Sequence, residues 1–95
     1  MKKVLTVIIA VALASCSSRL YVPSDANVNK REPATLAELT QGHDIYKNSC
    51  GRCHPLFKPD SRNNEQWTKV LKVMGPKAKL TDDKIALVYK YLANH

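Results

Sequence analysis

The sequence predicts an all-α fold of about three helices over residues 36–95. Apolar residues in that stretch recur at three- and four-residue spacing, and no segment alternates apolar with polar. Two of the three periodic runs also begin at residues that cap helices. The first helix is expected over roughly 36–49, with Leu36, Leu39, Ile45 and Tyr46 as its apolar residues. Gly42 falls inside it. A glycine there costs about 1 kcal/mol against alanine, so its presence points to another backbone approaching closely. Pro55 and Pro59 mark the following stretch as an irregular loop. The second helix should start at Asn63 or Asn64, with Glu65 favourably placed in the first turn. Trp67, Val70, Leu71 and Met74 form one stripe, and Gly75 with Pro76 should end the helix. The third takes Thr81 as N-cap, carries Asp82 and Asp83 in its first turn, and aligns Ile85, Val88, Tyr89 and Leu92.

So short a domain makes a thin core. At that size only about 60% of the unfolded surface is buried, and disulfides, a metal or a cofactor usually complete the interior.

Residues 1–15 read as a secretory signal peptide: Lys2 and Lys3 form a positive start, 4–14 is apolar except for Thr6, and small residues follow. The stretch falls short of the roughly 20 apolar residues that span a bilayer. Its end, Leu13-Ala14-Ser15-Cys16, resembles the bacterial lipobox. That resemblance implies cleavage before Cys16 and acylation of its thiol, holding the protein to a membrane by its lipid. The alternative is a plain secretory leader followed by an incidental cysteine. Either way the expected compartment is the bacterial cell envelope, facing the periplasm or cell surface, where thiols tend to oxidise. Residues 16–35 are rich in Ser, Asn, Pro and charge, with no apolar period, and are expected to act as a flexible tether.

Lys and Arg number 15 and Asp and Glu 8, a formal charge of +7. Without Lys2 and Lys3 an excess of five remains, suited to an acidic protein partner or to anionic lipid. No helix carries basic residues on one face with aromatics among them, which weighs against nucleic acid.

The residues that carry chemistry are Cys50-Gly51-Arg52-Cys53-His54. This C-x-x-C-H pentapeptide, in an exported chain, is the attachment pattern of a c-type haem. Two thiols three positions apart reach the two vinyl groups on one porphyrin edge as thioethers, and the next imidazole falls beneath the iron. The other nitrogen of His54 should donate to a backbone carbonyl, expected near Pro59. Competing readings are a redox dithiol, which wants a βαβ context, a tight Cys50–Cys53 disulfide, and a zinc site, for which only His43 and His95 remain. Trp67 is open to two roles, indole donor to a haem propionate or core aromatic.

Gly42, Tyr46, the pentapeptide, a later methionine and a last helix with Tyr89 and Leu92 together resemble class I cytochromes c, and the stretch Trp67, Val70, Met74, Ala78 and Leu80 resembles short monohaem bacterial lipoprotein cytochromes. The resemblance spans the whole helical region. It implies a small cytochrome c-like fold in which Gly42 and Tyr46 pack across the last helix. It implies one covalent haem c with His54 as proximal and Met74 as distal iron ligand; His43 and His95 are the alternatives to Met74. His/Met ligation fills both axial positions and raises the potential, which implies an outer-sphere electron carrier between redox partners rather than an enzyme. Arg52, Lys58, Lys69, Lys72, Lys77 and Lys79 are then candidates to steer an acidic partner, or simply solvated charge. The functional alternative is a haem-based gas sensor or small haem enzyme with a displaceable sixth ligand.

Overall fold

The structure, a computed structural model, describes residues 20–51 and 55–95. The leader 1–15, Cys16, Arg52, Cys53 and His54 lie outside the described residues. Among those described there is no strand, and the all-α expectation holds: α1 is Leu36–Ile45, α2 Asn64–Lys77 and α3 Asp82–Ala93.

Each helix starts where its cap dictates. Thr35 accepts from the Glu38 N–H at 3.1 Å, while the Glu38 carboxylate accepts from the Thr35 N–H at 3.0 Å. Asn63 and Gln66 make the same reciprocal pair ahead of α2. Thr81 caps α3.

Packing centres on α1 against α3, the most extensive contact between elements. Gly42 is the crossing point. A Cβ there would lie 2.1 Å from the Leu87 carbonyl oxygen and 2.9 Å from the Tyr91 Cβ. The core joins Tyr46, Trp67, Leu71, Val88, Tyr91 and Leu92, with Leu39 also fully enclosed. Lys90 of α3 adds an ion pair to Glu38 of α1 at 2.8 Å, and that bond holds the Glu38 carboxyl below its ordinary range.

The structure moves the end of α2. Gly75 and Pro76 do not stop the helix, which runs on to Lys77. Pro76 sits in the last turn, where only one ladder bond is lost. Gly75 instead gives room to Ile85, whose Cδ1 would stand 2.4 Å from an added Cβ. Lys79 makes the stop: its φ of 61° is left-handed, and the N–H groups of Lys79 and Leu80 close back on the Pro76 and Gly75 carbonyls at 2.9 and 3.0 Å. A side chain at that φ is strained. Lys79→Gly should therefore stabilise the domain by about 0.5–1 kcal/mol, read as a raised midpoint in urea.

Part of the stretch expected as a tether, 16–35, is described, and there it packs against the helices. From Leu20 onward the chain is docked on α3. Tyr21 stacks on Tyr91 with ring centroids 4.4 Å apart, each hydroxyl donating to the other's carbonyl. Asn27 donates to the Asn94 carbonyl at 2.9 Å. The wholly buried Asn94 side chain accepts from the N–H groups of Arg31 at 2.7 Å and Glu32 at 2.9 Å. Backbone N–H groups and the Asn27 side chain of this polar stretch thus find partners on the end of α3.

Candidate functional site

Chain geometry changes just before the cysteines. α1 continues without a break into a π-helical turn over Tyr46–Cys50. The wider turn rotates the following side chains relative to α1, and such turns recur at functional sites. It ends at Cys50, whose neighbours across the fold come from α2.

Cys50, Tyr46, Phe57, Trp67, Val70, Leu71 and Met74 line one cleft, almost wholly apolar. The α2 stripe supplies four of these residues. Cys50 and Met74, separated by a loop and most of a helix, are thereby brought together. Of the three candidates for a distal ligand, Met74 alone lines this cleft. His43 lies edge-on to Tyr91, its Nδ1 3.0 Å from the Asp44 carboxylate. His95 lies beside Arg31 and Asp60, and burial lowers its pKa.

Trp67 is a core residue. It is 1% exposed, its indole N–H donates to the Pro59 carbonyl at 2.9 Å, and its ring meets Tyr46 edge-on at 6.1 Å. Its N–H is thus committed to the backbone, and the Pro59 carbonyl expected to serve His54 already accepts one bond. Tyr46 fixes the outer wall: its hydroxyl donates to the Phe57 carbonyl at 2.8 Å and accepts from the Phe57 N–H at 3.2 Å. Phe57 is 42% exposed, with the Arg62 guanidinium 4.3 Å from its ring centre.

The donors fit a haem in kind: thiol and thioether are soft iron and thioether-forming groups, and the lining excludes water. As folded the cleft encloses about 20 Å³. Small-molecule sites run to about 300–1,000 Å³, so the cleft as folded is too small for a macrocycle, and its walls would have to part around one. A larger apolar groove of about 640 Å³ lies between α2 and α3, lined by Leu71, Pro76, Ile85, Ala86 and Tyr89, and no Cys, His or Met among the described residues faces it.

Sequence reasoning missed Tyr91. The α3 stripe pointed to Tyr89, which is half-buried beside the α2–α3 groove, whereas Tyr91 is wholly enclosed and crosses Gly42. Tyr21, Tyr46 and Tyr91 are all kept protonated: burial raises each, Tyr46 up to about 12. Raised tyrosine values mean stability that is complete below the ordinary value of 10.0 and is lost as pH climbs toward the folded values. Helicity should hold to about pH 10 and then collapse steeply, with tyrosinate absorbance rising together with the loss of far-ultraviolet dichroism. Tyrosinate appearing well before unfolding would contradict this.

Lys58, Lys69, Lys72, Lys77 and Lys79 are all exposed. Among the described residues no group of three His, Cys, Asp or Glu could hold a metal ion, and no helix is long and apolar enough to cross a membrane. No protein-family model matches the chain, and no curated protein or solved structure does so either.

Proposed function

We propose that this chain is a membrane-anchored, monohaem c-type cytochrome of class I architecture. It carries haem c on Cys50, Cys53 and His54, takes Met74 as distal ligand, and moves single electrons between redox proteins of the bacterial envelope. The observation that carries this reading is that Cys50, from the C-x-x-C-H motif, and Met74 line one apolar cleft. The Gly42 crossing of α1 and α3 and the packing of Tyr46 support the cytochrome c-like arrangement.

Bound there, a haem supplies a one-electron iron couple. The chain's own part is to hold and shield it. Cys50 and Cys53 would tether it, His54 and Met74 would hold its iron, and Val70, Leu71 and Trp67 would keep water away. Held by two side-chain ligands, the iron would serve one-electron transfer rather than substrate binding. Cys16, acylated, keeps the domain at the membrane, and the lysines on and after α2 suit an acidic partner.

The test is expression in a periplasm with haem-maturation machinery, followed by denaturation and acid–acetone extraction. The reduced c-type spectrum is expected to stay with the polypeptide. Met74→Ala should abolish the far-red methionine–iron band of the oxidised protein and open the reduced protein to carbon monoxide. Haem that extracts away removes the reading. Firm carbon monoxide binding by the unaltered protein at neutral pH would favour a gas sensor instead.

A further inference from the structure

The docked segment after Cys16 has a consequence for how the domain meets the membrane. Cys16 precedes Leu20 by four residues. Fully extended, that length reaches about 14 Å. From Leu20 the chain has no slack, since Leu20 packs on the core, Tyr21 is interlocked with Tyr91, and Asn27, Arg31 and Glu32 are tied to Asn94.

The same end of the molecule gathers other parts. Pro59 and Lys58 border Tyr21 and Val22 around a cavity of about 280 Å³. Asn64, which opens α2, reaches Glu32 at 3.4 Å. So the start of α2 and the finish of α3 lie at the clasped end. The turn from Ala78 to Thr81 lies at the other, a helix length of about 18–20 Å away. Val22, 77% exposed, is the most exposed large apolar side chain among the described residues, and it lies beside the point where the chain enters.

We propose that the face formed by Val22 and Lys58 rests on the lipid headgroups, so that the domain stands on the membrane in one orientation and turns its Ala78–Thr81 end outward. This rests on Cys16 as the lipid anchor. A short anchor and a docked segment leave little freedom to present any other face. An isolated valine side chain contributes little affinity, so it is the tether's length that holds the face down, with Val22 entering the boundary and the Lys58 stem lying along it.

The test places the photoreactive residue p-benzoylphenylalanine at position 22 and, separately, at the exposed position 77, in the full chain made with its maturation machinery. Membranes are irradiated, delipidated and analysed by mass spectrometry and gel. Position 22 should carry several-fold more covalent lipid than position 77. Equal lipid at both positions, or position 22 joined to a second copy or another protein, would overturn the orientation while the anchor stands. A chain absent from the membrane fraction removes the anchor and the orientation together, and leaves the haem reading, tested by its spectrum, untouched.

Discussion

Gly42→Ala is expected to be among the most damaging single substitutions in the helical core. The added methyl group would meet the carbonyl oxygen and carbon of Leu87 at 2.1 and 2.8 Å. Both are backbone atoms, so no side chain can rotate away, and α1 must lift off α3. That separates Leu39 and Tyr46 from Val88, Tyr91 and Leu92, most of a small core. Alanine returns about 1 kcal/mol in helix propensity, which does not offset the overpacking. A net loss of about 3 kcal/mol or more is expected, roughly 12–24 °C in Tm at this domain size. Thermal unfolding followed by dichroism at 222 nm checks it. A loss below about 1 kcal/mol would mean that the helices do not cross at Gly42.

Asn94→Ala should follow closely. Its carbonyl side-chain oxygen satisfies the N–H groups of Arg31 and Glu32, and its amide donates to the Lys90 carbonyl at 2.8 Å. Truncation leaves two backbone donors without their partner and opens a polar gap at a site with no exposed surface. A loss of about 2–3 kcal/mol follows from the cost of unsatisfied buried groups. The effect should also be local. Amide exchange should accelerate at residues 31 and 32 and spread along 21–34. Asn94→Asp keeps the acceptor, so it should preserve protection at those two amides better than Ala does. Equal exchange in both variants would show that the acceptor is not what holds the segment.

Much of the helical frame was legible because it rests on local rules. Thr81 and Asn63 announce their helices by hydrogen bonds that close within three residues, and the Trp67–Met74 stripe follows from one helical period. Gly42 was legible for a different reason: a costly residue in mid-helix needs a neighbour to justify it. What stayed hidden depends on distant partners. Nothing near Asn94 tells that its side chain will accept from residues 62 and 63 positions earlier. The 16–35 stretch therefore reads as linker by composition while folding as part of the domain from Leu20 on. Tyr91 was overlooked because the α3 stripe was drawn through Tyr89; both are aromatic, and only the Gly42 crossing selects between them. The end of α2 was misjudged because Gly75 and Pro76 resemble a stop. The left-handed residue that makes the stop is Lys79, a type that gives no such signal. For the candidate site, the pentapeptide and Met74 were both readable, but that Cys50 and Met74 share a cleft needed the fold.

The interlock of Tyr21 with Tyr91 and of Arg31 with Asn94 joins positions 63 to 70 residues apart. Such contacts form late, because a long loop must close before they stabilise anything. A chain delivered from its N-terminus, by ribosome or by a membrane pore, holds its first ordered segment without a partner until α3 has emerged. The domain therefore cannot complete itself while it is still being threaded, because its first ordered segment waits for its last helix.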